Sequence, residues 1–204
     1  MNFRERILSE PIVYRTFKRV VVPKGAQERL VNEHFIAPDG GKVLDLGCGF
    51  GDFAVHFAGR CDYLGIDHNE SYIAKAREMN TALSARFIVA DVADPVVGDS
   101  GPFDLIMMSG VLHHLPSQSI RELAQLIRDL LAPGGRFVAV EPVFDPEQGL
   151  TARLTIAADR GRHARDEDGY RSLLSNAFSS VDVSIVSGLL RIPYTHAIIT
   201  SRNT

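Results

Sequence analysis

Short apolar runs alternate with longer amphipathic stretches through the middle of the chain. The apolar runs predict buried strands at 43–46, 63–66, 86–90, 103–108 and 136–140. The stretches between them carry apolar residues at helical spacing and predict helices at 52–59, 70–79 and 119–131. Alternating units of this length are typical of a parallel sheet covered on both faces by helices, with right-handed crossovers. The pattern therefore predicts a doubly wound α/β fold.

The two ends of the chain depart from this alternation. Residues 1–41 predict a helical preface, with its second helix near 26–35, and we interpret it as an N-terminal cap or lid. Up to Lys24 this preface carries six basic residues against two acidic ones. That charge is typical either of the solvated face of a packing helix or of a lid with a basic, substrate-facing side. Beyond residue 141 the pattern predicts helices near 150–158 and 168–177, followed by closing strands at 181–185 and 197–199.

Composition limits the class of protein. The chain has 204 residues, which suits one domain or one domain with an appendage. A net charge of −3 argues against a general nucleic-acid binder, which needs a broad basic surface. We expect no membrane span and no signal peptide, because no apolar run is long enough. A disulfide between Cys48 and Cys61 would tether the turn described next and is not expected, so a reducing, cytoplasmic location fits.

A glycine-rich turn follows the first predicted strand, in the stretch KVLDLGCGFG at 42–51. Its glycines, Gly47, Gly49 and Gly51, allow the backbone to turn sharply and let a ligand approach without a Cβ clash. Exposed amides at the start of a following helix would suit an anionic or polar group. The stretch therefore predicts a binding site of the nucleotide type.

Two classes of ligand compete for this site. A nicotinamide or flavin dinucleotide favours the spacing G-x-G-x-x-G, whereas here the third glycine, Gly51, comes one residue early. Asp45 stands just before the turn, where its charge would repel a pyrophosphate but could hold an ammonium group. The residues thus favour a nucleoside-like ligand with a cationic end over a dinucleotide.

The run DLGCGFG at 45–51 resembles the D-x-G-x-G-x-G motif of class I S-adenosylmethionine-dependent methyltransferases. The resemblance extends over about 100 residues, through Asp67, Asp91-Val92 and the stretches FDLIMMSGVLHHLP (103–116) and LAPGGRFVAVEP (131–142). It implies a Rossmann-like, seven-stranded sheet of order 3-2-1-4-5-7-6 with an antiparallel last strand. It also implies a methyltransferase domain over 42–204, in which 142–178 is an insertion that recognises the methyl acceptor.

The resemblance implies a cofactor site for S-adenosylmethionine, with S-adenosylhomocysteine as product and no metal. Asp67 would bind the ribose hydroxyls through charge-assisted hydrogen bonds, and Asp91 and Val92 would contact the adenine. The alternatives are that Asp67 caps a helix and that Asp91 is a turn residue. The expected cofactor residues are Asp45, Gly47, Cys48, Gly49, Gly51, Asp67, His68, Asp91, Val92 and Ser109.

His113 and His114 follow the fourth strand, beside the expected position of the methyl group. An alcohol or phenol acceptor gains from a base, so we interpret one of them, with His113 favoured, as base or acceptor-positioning residue. The alternative is that both only fix the loop or touch the cofactor. The motif that nitrogen-directed nucleobase methyltransferases carry at this point is missing, since Ser109-Gly110-Val111-Leu112 stands there. Methylation of oxygen is therefore favoured over that of carbon or nitrogen.

Arginines crowd the segment 159–171, where the family places acceptor recognition. Arginine reads carboxylate or phosphate groups bidentately, which favours a small and anionic acceptor, although the neighbouring acids also suit a solvated charge cluster. His196 is a further candidate, and the expected substrate-binding residues are Tyr14, Arg160, Arg162, His163, Arg165, Tyr170, Arg191 and Tyr194. A dinucleotide-binding oxidoreductase and a non-catalytic cofactor-binding protein remain alternatives, and a monomer or homodimer is expected.

Overall fold

The structure is a computed structural model that describes residues 20–159 and 163–203. Seven strands form one sheet of order β3-β2-β1-β4-β5-β7-β6, as expected from the sequence. The strands are β1 Lys42–Leu46, β2 Asp62–Asp67, β3 Ala85–Val89, β4 Phe103–Ser109, β5 Leu131–Pro142, β6 Ser180–Ser187 and β7 Thr195–Arg202. The first five pair in parallel, and β7 runs antiparallel between β5 and β6. The predicted order and the antiparallel last strand are confirmed.

The strand order reverses next to β1. From β1 the chain proceeds outward to β2 and β3, then returns to place β4 on the other side of β1. The crossovers on either side of such a reversal diverge, which leaves a crevice beyond the carboxyl ends of the strands. The glycine turn after β1 and the histidines after β4 both lie at this edge.

Most helices lie close to their predicted positions. Their bounds are α1 Ala26–Glu33, α2 Glu70–Met79, α3 Pro95–Ser100, α4 Ser117–Leu130, α5 Leu150–Ala157 and α6 Glu167–Leu174. The short helix α3 was not expected from the sequence. Helix α4 begins two residues before the predicted start, directly after Pro116, so Ser119 lies inside its first turn and does not cap it. None of the helices in the described ranges is long and apolar enough to span a bilayer.

The helix predicted at 52–59 is wrong. This segment contains only a short 3₁₀ turn, Ala54–His56, among other turns. Gly51 and Gly59 flank it at φ values of 70° and 87°, and a right-handed helix contains neither conformation. Ala54 and Phe57 are instead fully buried in the hydrophobic cluster on one face of the sheet, while Val55 is exposed.

Two hydrophobic clusters cover the two faces of the sheet. One is built around α4, α6 and the strand residues that face them, including Ile106 and Phe137. The other includes Phe57 and Tyr63, and it also takes Leu30, Val31 and Phe35 from the region of α1. The described part of the N-terminal preface is therefore packed into the same core as the sheet. Cys48 and Cys61 are buried free thiols in this second cluster.

Candidate active site

Two cavities open at the carboxyl ends of the strands and meet at Ser109 and Gly110. The first, which we call the turn cavity, has a volume of about 550 Å³. It is lined by Asp45, Gly47, Cys48, Gly49, Phe50, Asp52, Phe53, Asp67, His68, Asn69, Tyr72, Ser109, Gly110, Val111, His114 and Leu115. It is thus built from the glycine turn, the end of β2 and the loop after β4.

The three glycines of the turn have different roles. Gly47, Gly49 and Gly51 all have positive φ, at 73°, 54° and 70°. A Cβ on Gly47 would lie 2.7 Å from the Val111 side chain, and one on Gly51 would lie 2.4 Å from the Phe87 ring. A Cβ on Gly49 would meet nothing within 4 Å. Gly47 and Gly51 are therefore required by packing as well as by conformation, whereas Gly49 leaves its backbone open to a ligand.

Asp45 is a buried carboxylate at the base of the turn cavity. It is 2% exposed and accepts a hydrogen bond from the Tyr63 hydroxyl at 2.5 Å. Burial, followed by the charge of Asp45, holds the pKa of Tyr63 well above its usual range, so the phenol keeps its proton. Burial and the carboxylates of Asp45 and Asp67 likewise raise the pKa of the Cys48 thiol. Cys48 therefore lines the cavity as a neutral thiol rather than as a nucleophile.

Asp67 ends β2 with both carboxylate oxygens oriented by backbone amides. One oxygen accepts from the Gly49 amide at 3.1 Å and the other from the Asn69 amide at 2.9 Å. Helix α2 is capped by Asn69, whose side chain accepts from the Ser71 amide, so Asp67 is not its N-cap. His68 is exposed beside it, with its ring nitrogen 3.6 Å from the carboxylate. The geometry holds Asp67 toward the cavity, where its remaining lone pairs can accept from vicinal hydroxyls.

Asp91 and Val92 stand outside the residues that line the turn cavity. The Asp91 carboxylate accepts from the Ala93 amide at 3.1 Å, and the Asp91 amide donates to Asp94 at 2.7 Å. These hydrogen bonds are those of a turn that leads into α3. The adenine contacts expected of Asp91 and Val92 stay a prediction.

The second cavity, which we call the apolar cavity, has a volume of about 790 Å³. Its lining is mostly aliphatic and comes from the described part of the preface, from α5 and from the segment before β7. The lining residues are Val21, Val22, Ala26, Gln27, Leu30, Phe53, Ser109, Gly110, His113, Val140, Pro142, Leu154, Thr155, Ala158, Asp159, Leu189, Leu190, Ile192, Tyr194 and His196. No Lys or Arg stands among these described lining residues.

His113 lines the apolar cavity and is fixed by Glu141, which lies near the end of β5. The two side chains are 6% and 0% exposed, and His113 Nδ1 lies 2.7 Å from the Glu141 carboxylate. The same carboxylate accepts the Val111 and Leu112 amides, each at 2.8 Å, and the His113 amide at 3.2 Å. An ionised carboxylate only accepts, so this contact assigns a proton to Nδ1, and in the neutral imidazole Nε2 is then the acceptor. Nε2 lies 3.9 Å from Asp159.

Further polar residues line the apolar cavity with His113, among them Asp159, Tyr194 and His196. Tyr194 donates its hydroxyl proton to Asp159 over 2.5 Å, and burial together with this carboxylate raises the pKa of the phenol. The rings of Tyr194 and His196 lie with their centroids 4.9 Å apart. His114 instead lines the turn cavity, so the two adjacent histidines serve different cavities.

The structure brings only some of the predicted acceptor residues to this cavity. Tyr194 lines it, as does His113, whose carbonyl accepts the His163 amide at 3.0 Å. Arg165 donates instead to the Leu115 carbonyl at 2.9 Å and to the His163 carbonyl at 2.6 Å. Arg165 therefore ties loops together rather than facing the acceptor cavity.

The side chains of Tyr170 and Arg191 also donate to backbone carbonyls and do not line the apolar cavity. Tyr170 is fully buried in the core, and its hydroxyl donates to the Pro142 carbonyl at 2.9 Å. Arg191 donates its side chain to the Val20 carbonyl at 3.1 Å and lies away from the lining of the apolar cavity. Tyr14, Arg160 and Arg162 fall outside the described residues, so their assignment stays a prediction.

The sequence reasoning missed Glu141 and Asp159 as site residues. A carboxylate inside the apolar run RFVAVEP is a signal in itself, because a buried charge needs partners. Asp159 was interpreted only as part of the charge balance of the arginine-rich segment. Nothing in the local sequence indicates that it meets Tyr194, since 35 positions separate the two residues.

These features define the class of protein. A doubly wound sheet carries a glycine turn after β1, an acid at the end of β2 and, next to that cavity, an apolar cavity with a carboxylate-held histidine. This is the arrangement of an α/β enzyme that binds a nucleoside cofactor beside a second substrate. Among the described residues, no group of three His, Cys, Asp or Glu side chains could hold a metal ion.

Comparisons with known proteins specify the family. Residues 43–135 match the family model described as a methyltransferase domain. The trans-aconitate 2-methyltransferase of Variovorax paradoxus is 32% identical over 190 residues, which cover 85% of this chain and 70% of that protein. The ubiquinone biosynthesis O-methyltransferase of Acinetobacter baylyi is 29% identical over 109 residues, covering 52% of this chain and 45% of that protein. The chain belongs to the class I S-adenosylmethionine-dependent methyltransferases.

Solved structures share the fold. A TehB-like methyltransferase from Corynebacterium glutamicum superposes with a TM-score of 0.69 and 18% identity, covering 98% of this chain and 100% of that one. The magnesium protoporphyrin IX methyltransferase of Synechocystis, with bound S-adenosylmethionine, gives a TM-score of 0.62 at 19% identity, covering 100% of this chain and 85% of that one. The open face of Gly49 and the oriented carboxylate of Asp67 fit this cofactor in the turn cavity. The family decides against the dinucleotide-binding oxidoreductase.

Proposed function

We propose that this enzyme transfers a methyl group to a hydroxyl oxygen of a small acceptor with an apolar body. The observation that carries the proposal is the buried pair formed by His113 and Glu141 in the wall of the apolar cavity. When bound in the turn cavity, S-adenosylmethionine supplies an electrophilic methyl group. The chain itself aligns the acceptor, excludes water and removes a proton.

His113 is the proton acceptor in this proposal. Glu141 holds the imidazole as the Nδ1-H tautomer, so Nε2 presents its lone pair to an acceptor hydroxyl. As the oxygen gains the methyl group, its proton passes to Nε2, and the buried carboxylate stabilises the imidazolium that forms. A methyl transfer to a neutral hydroxyl gains from such a base, since the free alkoxide or phenoxide is scarce at neutral pH.

The apolar cavity supplies the body of the acceptor site. Aliphatic side chains from the described preface (Val21 and Leu30) and from α5 (Leu154) lie opposite the strand ends. They exclude water around the reacting oxygen and bind apolar surface of the acceptor. This placement supports the assignment of the preface as a lid and of 142–178 as an acceptor-recognition insertion.

The test is the substitution His113→Gln, with a naphthol as the acceptor probe. We expect a loss of roughly 10²–10⁴-fold in kcat, the usual contribution of a general base. Affinity for S-adenosylhomocysteine should change by less than about threefold, because His113 lines the apolar cavity and not the turn cavity. His34→Gln, at the end of α1 and away from both cavities, is the matched control. Undiminished turnover by His113→Gln would contradict the proposal.

A carboxylate acceptor is the second candidate. The relative from Variovorax paradoxus is named for its action on trans-aconitate, and the predicted acceptor residues Arg160 and Arg162 belong to the same hypothesis of an anionic acceptor. A carboxylate is already ionised at neutral pH and needs no base. Turnover of trans-aconitate that is insensitive to His113→Gln would therefore favour this candidate, and turnover of a phenol that depends on His113 favours the first.

A further inference from the structure

His196 is a buried polar side chain that the proposed chemistry does not use. It lies on β7, is 9% exposed and lines the apolar cavity. Its Nδ1 is sealed from solvent and has no hydrogen-bond partner in the described part of the chain. The part of the ring that the cavity can reach is therefore the edge that carries Nε2.

The protonation of His196 follows from its surroundings. Its pKa is lowered to about 4, chiefly by burial; the charges of Glu141 and Asp159 oppose this shift, and the positive charge that His113 can carry adds to it. The ring is therefore neutral at physiological pH. An unpartnered lone pair is more often tolerated in a protein interior than an unpartnered N–H, so the single proton lies on Nε2. His196 thus offers one neutral donor to the apolar cavity.

Tyr194 offers the complementary group beside it. Its proton is donated to Asp159, so the phenol oxygen faces the cavity as an acceptor. The rings of Tyr194 and His196 lie with centroids 4.9 Å apart. A donor and an acceptor on neighbouring rings that line the same cavity match a group that both accepts and donates one hydrogen bond.

We propose that His196 and Tyr194 recognise a second hydroxyl of the acceptor, so that the preferred acceptor is an apolar skeleton with two hydroxyl groups. One hydroxyl meets His113 Nε2 and is methylated, while the other accepts from His196 Nε2 and donates to the Tyr194 oxygen. This inference rests on the proposed function, because it takes the apolar cavity as the acceptor site.

The charges and hydrogen-bonding groups around His196 and Tyr194 favour a hydroxyl over a carboxylate, an ammonium or a methoxy group. A carboxylate would lie beside Asp159 and would find only one neutral donor, with no Lys or Arg among the described lining residues. An ammonium group would be attracted by Asp159, but its N–H groups would face the N–H of His196 and would leave that donor without an acceptor. A methoxy group would accept from His196 but could not donate to Tyr194, so a product methylated at the second hydroxyl would bind more weakly.

The experiment measures binding without turnover, with the enzyme saturated with S-adenosylhomocysteine. Isothermal titration calorimetry compares naphthol, a panel of dihydroxynaphthalene isomers and the matching hydroxynaphthoic acids. Two added hydrogen bonds predict that the best dihydroxy isomer binds roughly tenfold more tightly than naphthol. The hydroxynaphthoic acids should bind no better than naphthol.

Two substitutions test the assignment to His196. His196→Phe should reduce the preference for the dihydroxy isomer to below about twofold, whereas His196→Gln, which keeps a donor near Nε2, should retain most of it. If His196→Phe does not fold, Tyr194→Phe provides a second test. We expect Tyr194→Phe to reduce the preference for the dihydroxy isomer by about threefold.

Three results would overturn the inference. These are an unchanged preference in both His196→Phe and Tyr194→Phe, a hydroxynaphthoic acid as the tightest ligand, and a wild-type enzyme that binds none of the probes. Failure of the proposed function looks different. In that case the ratio of the affinities for the dihydroxy isomer and for naphthol would still depend on His196. However, no probe would show methylation that depends on His113.

Discussion

The substitution Glu141→Gln tests the central pair of the site most directly. Glu141 accepts four hydrogen bonds, from the amides of Val111, Leu112 and His113 and from His113 Nδ1. Glutamine keeps the shape of this side chain but replaces one acceptor oxygen by an NH₂ group. If its oxygen serves Val111 and Leu112, the NH₂ group faces the His113 side.

Glu141→Gln therefore favours the other tautomer of His113. An NH₂ group can donate to Nδ1 only when the imidazole proton has moved to Nε2, and Nε2 then no longer accepts a proton. A wrong tautomer of this kind abolishes base catalysis without moving the ring, and we expect a loss of about 10²–10⁴-fold in kcat.

The stability cost can be worked from the same contacts. Glu141→Gln loses the hydrogen bond from the His113 amide and the charge assistance of the others. At about 1.5–3 kcal/mol for a hydrogen bond to a charged group, we expect a destabilisation of about 3 kcal/mol. For a domain of this size that lowers Tm by roughly 6–12 °C.

The assay combines three measurements on one preparation. Thermal unfolding gives Tm, mass spectrometry of methylated dihydroxynaphthalene gives kcat, and nitrogen NMR of the imidazole gives the tautomer. Asp104→Asn is the control, because it alters a carboxylate that accepts a backbone amide, that of Lys42, at the opposite end of the sheet. We expect the control to lose some stability but to keep the kcat of the wild-type enzyme. A Glu141→Gln enzyme with the expected fall in Tm, but with kcat within about threefold of wild type, would refute base catalysis by His113.

Three further predictions follow from single residues. Gly49→Ala should weaken S-adenosylhomocysteine binding at least about tenfold and lower Tm only by the cost of placing alanine at positive φ. Gly51→Ala carries the same cost and adds a Cβ that would meet the Phe87 ring at 2.4 Å, so it should lower Tm further. Equal effects of the two substitutions on both quantities would contradict this division of roles. Asp67→Asn should weaken the same ligand roughly 10- to 100-fold by titration calorimetry, since it removes the charge from hydrogen bonds to the ribose. The pKa of His196 is lowered to about 4 in the folded protein, so between pH 6.5 and 4 this side chain is protonated in the unfolded chain but not in the fold. The free energy of unfolding therefore decreases as the pH falls through that window. His196→Phe should remove about 3 kcal/mol of this loss in denaturant titrations, and identical pH profiles would refute the assignment.

The centre of the sheet could be predicted from the sequence because strands such as β1 and β4 are buried on both faces. Buried parallel strands appear as continuous apolar runs, and each run from 43–46 to 136–140 marks a strand of the structure. The segment 52–59 could not be predicted in the same way. Its apolar residues have helical spacing, but Gly51 and Gly59 hold the flanking backbone at positive φ, and packing of Phe57 against the sheet decides the outcome.

The turn cavity was accessible to sequence reasoning and the apolar cavity largely was not. Asp45, the glycines and Asp67 stand in one local motif at fixed distances from strand ends, so their positions follow from the fold. The apolar cavity joins the preface, α5 and β7, which lie far apart in the sequence. The arginines near residue 165 were favoured for their charge, yet the guanidinium of Arg165 donates to backbone carbonyls, which local sequence does not reveal.

The two cavities share only Phe53, Ser109 and Gly110 among their described lining residues. On the proposed function, the methyl donor is bound at the strand ends, and the shape of the acceptor is set by separate stretches around Val21, Leu154 and Ile192. Exchanging these stretches for those of a related enzyme would then change the acceptor site without changing the residues that line only the turn cavity. Chimeras made in this way would alter which molecules are methylated and leave the transfer chemistry unchanged, which makes this scaffold well suited to engineered biosynthesis.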